Sequence, residues 1–101
     1  MDRDEAEQLT KIEITAAQGR ALERLFDKFY YVGDRVVPTT AFPHRDNIDN
    51  GARRCLRRLG RRGVLDRLPG GALEVTPTTI ATFQEWEQKT YGEVKRRGDN
   101  G

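Results

Sequence analysis

Residues 47–62 read NIDNGARRCLRRLGRR, and the rest of the chain is interpreted outward from them. Six arginines fall within this stretch and Arg45 lies just upstream, while no carboxylate occurs between Asn50 and Leu65. On a helical wheel of ~100° per residue, Ile48, Ala52, Cys55, Leu56 and Leu59 gather on one side. Asn47, Asn50, Arg54, Arg57 and Arg61 gather on the other, with Arg53 and Arg58 at the flanks. The pattern predicts an amphipathic helix over 47–62 whose solvent face is cationic and amide-bearing. Solvated helices ordinarily mix signs, because opposite charges at i, i+4 stabilise them and like charges do the reverse. Here Arg53–Arg57, Arg54–Arg58, Arg57–Arg61 and Arg58–Arg62 are all like pairs. Each costs about 0.2–0.5 kcal/mol until a polyanion neutralises it. The face is therefore expected to be exposed and free of carboxylates from elsewhere in the chain.

The charge is unevenly placed. Residues 1–50 carry seven Lys and Arg against ten Asp and Glu; residues 51–101 carry eleven against six. That asymmetry fits a molecule presenting one basic surface. Fourteen of the eighteen basic residues are arginine, the side chain that grips phosphates and base edges bidentately. Codon preference, were the genome GC-rich, would account for part of that excess.

A chain of 101 residues fits one domain. With 36% hydrophobic and 34% charged residues its core must be small. About fifteen large apolar side chains in periodic positions, at roughly 2 kcal/mol each, can still support a compact fold. No apolar run approaches the ~18 residues of a membrane span, and MDRDEAEQ lacks a signal-peptide core, so the expected location is the cytoplasm. Cys55 has no cysteine partner and makes no metal site with the lone His44; it reads as a small buried thiol. No nucleophile–base pair, metal cluster or phosphate loop is visible, so neither an enzyme nor a bound cofactor is expected.

Residues 1–13 are acidic and aperiodic and read as a tail; residues 14–95 form the domain; 96–101 read as a second tail. Thr15-Ala16-Ala17-Gln18 has the form of a capping box, opening a first helix from Ala16 to about Tyr31. Its stripe is Leu22, Leu25, Phe26, Phe29 and Val32, and Gly33 ends it. Val36-Val37 reads as a short strand. Pro38–Phe42 reads as one helical turn, limited by Pro43, which disfavours a helical residue before it. Asp46 or Asn47 caps the arginine helix, and Gly60 or Gly63 closes it. Val64–Leu68 and Ala72–Thr76, flanking Pro69-Gly70-Gly71, read as a β-hairpin. Thr76-Pro77 opens a last helix with the stripe Ile80, Phe83, Trp86, Thr90, Tyr91 and Val94. The aromatics of that stripe suit either packing on the first helix or a seam between two copies.

This order resembles a winged helix-turn-helix domain, in particular the MarR type of bacterial and archaeal regulator. Ile14-Thr15-Ala16-Ala17-Gln18 with Ala21-Leu22 and Leu25 is similar to the opening of that family's first domain helix. Leu59-Gly60-Arg61-Arg62-Gly63-Val64-Leu65 resembles the end of its recognition helix and the start of its wing. Val75-Thr76 and the amphipathic stretch after it resemble the exit from the wing. Two departures stand out: Pro38–Pro43 lacks the usual pattern of the first helix of the motif, and the short wing has Arg67 as its one nearby cation.

The resemblance implies a fold that is α+β and mostly α. It comprises three main helices, a short or irregular second helix-turn-helix element and a two-stranded hairpin wing. It implies a small transcriptional regulator binding double-stranded DNA by inserting helix 47–62 into the major groove. Asn47, Asn50, Arg53 and Arg54, near the helix start, would read bases. Arg57, Arg58, Arg61, Arg62 and Arg67 would meet phosphates, and six such contacts would give a log affinity versus log salt slope of about −5. A homodimer through the first and last helices would present two reading helices to a two-fold operator. The alternative is the same fold used as a protein–protein interaction module without intrinsic DNA binding.

Overall fold

A computed structural model describes residues 11–100, with side chains through residue 92. The architecture is α+β and mostly α. Its elements, in chain order, are α1 (Ala16–Asp27), β1 (Arg35–Val36), α2 (Pro38–Ala41), α3 (Asn47–Arg61), β2 (Asp66–Arg67), β3 (Leu73–Glu74) and α4 (Pro77–Asn100). Of the acidic segment expected at 1–13, residues 1–10 lie outside the described residues. The backbone of α4 runs on past residue 95, where the sequence places the domain's end.

Thr15 and Gln18 form the expected capping box: the Gln18 N–H donates to Thr15 Oγ1 and the Thr15 N–H to Gln18 Oε1. The helix does not reach Tyr31. It ends at Asp27, and Phe29 takes the left-handed conformation (φ 66°) usually reserved for glycine after a helix. The chain reverses there because it must return to the sheet. The Gly33 N–H donates to the Val75 carbonyl and the Val75 N–H to that of Asp34. The reversal turns Phe29 and Val32, both expected in the apolar stripe, out into solvent.

The hairpin forms where expected, but its strands are two residues long and joined by a 3-10 turn at Pro69–Gly71. It is not a two-stranded sheet. β1 joins it on the far side of β3, giving the antiparallel order β1-β3-β2, with Val36 opposite Leu73 and Arg35 opposite Glu74. Val36 is fully buried by this pairing.

The core is built from Leu22 and Leu25 of α1, Phe42 of the α2–α3 turn, Leu56 and Leu59 of α3, and Val64, Leu65 and Val75 around the hairpin. Phe42 leaves the helical region (φ −130°), as Pro43 requires. α3 closes at Gly63, not Gly60: the Val64 N–H reaches the Leu59 carbonyl and the Gly63 N–H that of Gly60, a Schellman closure. Gly60 instead lies under the hairpin, where a Cβ would stand 2.6 Å from Leu73 Cδ2.

α4 starts at Pro77 as expected, with Thr76 as cap. Its buried positions are Thr79, Thr82 and Trp86, whereas Thr90, expected in the stripe, is exposed. The Thr79 hydroxyl donates to the Val64 carbonyl, and Thr82 Oγ1 accepts from the Ile12 N–H at 3.2 Å. Phe26, Phe83, Trp86 and Tyr91 form a run of ring contacts with centroids 4.9, 5.9 and 5.7 Å apart. Among the described residues, no helix is long and apolar enough to cross a membrane.

Candidate nucleic-acid interface

The amphipathic reading of α3 is right in kind and rotated in detail. The buried residues are Asp49, Ala52, Leu56, Leu59 and Gly60, whereas Ile48, expected inward, is 70% exposed. The buried arc is turned roughly 50° from the expected one. Both ends of the shift have a cause on the neighbouring elements: Leu73 covers Gly60, and Arg24 of α1 reaches Asp49. Cys55, moved to the margin, is half-buried; burial pushes its thiol up, against the nearby charges of Arg58 and Arg54.

Asp49, expected only to face the helix dipole, is 2% exposed. Its Oδ1 accepts from Arg24 Nη2 at 2.9 Å and its Oδ2 from the His44 N–H at 2.9 Å. Its own N–H caps onto Asp46 Oδ1 at 2.8 Å. The Arg24 guanidinium also lies over the Phe42 ring, 4.7 Å from its centroid. One carboxylate thus ties α1, the turn and the start of α3 together. The Arg24 hydrogen bond holds the Asp49 carboxyl below the usual aspartate value of 3.8, burial opposes this, and the His44 N–H adds to the lowering.

Because the folded value is the lower one, this stabilisation is complete above the unfolded value. It is lost as pH falls through the folded one. Acid unfolding followed by Trp86 fluorescence is expected to show that loss. Asp49→Asn should be less stable at neutral pH and should lack this component of the acid transition. Superimposable acid curves for the two proteins would remove the assignment.

The rotation divides the arginines. Arg53, at the edge of the buried arc, is half-buried, and its Nη1 donates to the Phe42 and His44 carbonyls while its Nη2 meets Asn50 Oδ1. Arg62 donates from Nη1 to Gln18 Oε1 at 3.1 Å and from Nη2 to the Glu13 carbonyl. Arg53, Asn50 and Arg62, three of the residues expected to meet DNA, therefore hold the protein's own loops and the cap of α1.

Arg54, Arg57, Arg58 and Arg61 remain. All four are exposed and, among the described residues, none pairs with a carboxylate. With Asn47, also exposed, they share a sector of about 100° on the wheel, opposite the core. No family model, curated protein or solved structure matches this chain. The geometry of this face therefore carries the functional argument by itself.

Arg67 of β2 extends the face. Its stem lies along Gly60, and together with Arg57 and Arg61 it rims a shallow notch of about 220 Å³ floored by Leu68, Ala72 and Leu73. Three guanidinium-bearing side chains from two elements thus converge where the helix meets the hairpin. Sequence reasoning placed Arg67 near the tip of the hairpin; it could not show that the notch exists. The aromatics Phe83, Trp86 and Tyr91, considered for a dimer seam, pack on one another and on α1 within the chain. The Glu23 carboxylate of α1 raises the Tyr91 phenol above its ordinary value, and burial adds to the rise.

Proposed function

We propose that this chain is a small, non-catalytic winged helix-turn-helix protein of the cytoplasm. It binds double-stranded DNA by laying α3 in the major groove and regulates transcription by doing so. The observation that carries the reading is the row of four exposed guanidinium groups with no carboxylate among them. A short α2, a turn and α3 supply the helix-turn-helix order, and β2 and β3 with β1 alongside supply a wing. Base contacts fall to Asn47 and Arg54, near the start of α3. Phosphate contacts fall to Arg57, Arg58, Arg61 and Arg67, while Asn50, Arg53 and Arg62 position the helix.

Four phosphate contacts give a log affinity versus log salt slope of about −3.6, shallower than the six expected from the sequence. A fourfold rise in salt should then weaken binding roughly 150-fold. Fluorescence anisotropy of a labelled random duplex at two salt concentrations measures this. No binding at low salt, or binding indifferent to salt, would sink the proposal. Two copies would offer two α3 helices to a two-fold site, and light scattering with and without duplex reads that stoichiometry.

One observation favours a second reading, a protein-interaction module. Phe29, Tyr31 and Val32, in the α1–β1 connection, are 75%, 63% and 53% exposed. Three large apolar side chains so close together are unusual on a solvated loop. Absence of DNA affinity at low salt would leave that reading in place.

A further inference from the structure

Gly60 of α3 carries no side chain, and the hairpin closes down on it. Leu73 Cδ2 stands 2.6 Å and Arg67 Cγ 3.2 Å from where a Cβ would be. This close approach lays the hairpin against the C-terminal half of α3 and creates the notch between them. The notch has a charged rim and an apolar floor. Arg57 and Arg61, one turn apart on α3, rim it with Arg67 of β2, and Leu68, Ala72 and Leu73 line the bottom. Ala72 and Leu73 are buried and Leu68 is half-buried, while the three arginines are exposed. Among the described residues, none of the three pairs with a carboxylate.

Each half of the notch restricts what fits. Three guanidinium groups suit an anion with several oxygens, and phosphate takes them bidentately. An apolar floor adds nothing for a bare, hydrated ion; it stabilises a ligand whose charged group continues into carbon. The volume of about 220 Å³ equals roughly seven waters at about 30 Å³ each, room for one five-membered ring. A sugar phosphate meets both conditions. A single such molecule would leave Arg54 and Arg58, which continue the exposed row, without a counter-charge. A strand of repeating sugar phosphates that fills the notch runs on past it and relieves them as well.

We propose that the notch is a sugar-phosphate seat whose occupant is one deoxyribose-phosphate unit of a DNA strand. The phosphate lies on Arg57, Arg61 and Arg67, and the sugar ring lies on Leu68, Ala72 and Leu73. Because α3 and the hairpin must meet the same nucleotide, the seat fixes how far along the groove α3 sits. The DNA occupant rests on the function proposed above; the preference for a sugar phosphate rests on the notch alone.

The first arm of the test titrates the full chain with 2-deoxyribose 5-phosphate and, separately, with inorganic phosphate. Methyl signals of Leu68, Ala72 and Leu73 are followed by NMR. The sugar phosphate is expected to shift them and to bind at least about fourfold more tightly than inorganic phosphate, the worth of one buried methylene. Equal affinities, or shifts that spare the floor, overturn the seat.

The second arm measures duplex affinity of Arg67→Lys and of Leu68→Ser, each shown to be folded by circular dichroism. Arg67→Lys keeps the charge and the stem along Gly60 but loses the planar fork. Leu68→Ser keeps every charge and makes the floor polar. Each should weaken binding about threefold to tenfold, and neither should change the salt slope, because the number of cations is unchanged. Parent-like affinity in both variants overturns the proposal and leaves DNA binding standing. A parent that prefers the sugar phosphate but binds no duplex at low salt overturns the DNA occupant together with the function proposed above, and keeps the seat for free sugar phosphates.

Discussion

The double variant Arg54→Ala, Arg57→Ala is expected to lose DNA binding and gain thermal stability. Arg54 stands where a base contact worth about 1–3 kcal/mol is made, and Arg57 where a phosphate is neutralised. Their joint removal should weaken duplex binding by roughly a hundredfold, since 1.4 kcal/mol is about tenfold. Removing them also ends three like-charge pairs, Arg53–Arg57, Arg54–Arg58 and Arg57–Arg61. At about 0.2–0.5 kcal/mol each, their loss should stabilise the helix by about 1 kcal/mol.

The opposed signs are the signature. A variant that binds poorly because it is misfolded would melt lower, not higher. Arg53→Ala offers the contrast, because it frees the Phe42 and His44 carbonyls from their donor and should lower the melting temperature. Anisotropy and thermal melts on the same samples decide it. If the double variant binds as the parent does, the row of arginines is merely solvated.

Gly19→Ala is expected to be among the most destabilising single-methyl changes in the chain. Gly19 lies on α1 under the Trp86 indole, and a Cβ there would stand 2.0 Å from Cε2 and 2.3 Å from Cδ2. Glycine inside a helix usually costs about 1 kcal/mol relative to alanine, so on an open face this change would help. Here the indole is 8% exposed and wedged between Phe83 and Tyr91, with little room to retreat. Overpacking should win by about 2 kcal/mol, lowering the melting temperature by roughly 10 °C in a domain of this size.

Gly51→Ala supplies the control. It is also helical, but nothing lies within 4 Å of its would-be Cβ, so helix propensity acts alone and the protein should gain about 0.5–1 kcal/mol. Trp86 is the only tryptophan, so its fluorescence reports both melts directly. A stabilised Gly19→Ala protein would mean that α1 and α4 do not pack as described.

Much of the local structure was readable from adjacent residues. The capping box at Thr15 and Gln18, the single turn at Pro38–Ala41, the arginine helix and the proline start of α4 each depend on residues within a few positions of one another. Glycine and proline chemistry and a strong 3.6-residue period report such features directly. The end of α1 was not readable in the same way. Phe29 and Val32 continue the apolar period, and only the pairing of Gly33 and Asp34 with Val75, more than forty positions on, turns the chain away.

The candidate site divides along the same line. The amino-acid sequence by itself determined a helix over 47–62 with one apolar and one arginine-rich side, because hydrophobic period and charge are properties of neighbours; in the structure Arg62 is its cap. Which arginines stay free was decided only by tertiary packing. Arg24 and Leu73 claim the Asp49 and Gly60 side of the helix. The resulting rotation brings Arg53 onto the carbonyls of the turn, and the α1 cap draws Arg62 inward. A wheel specifies an amphipathic face only to within about half a residue step, and contacts between distant segments set the remainder.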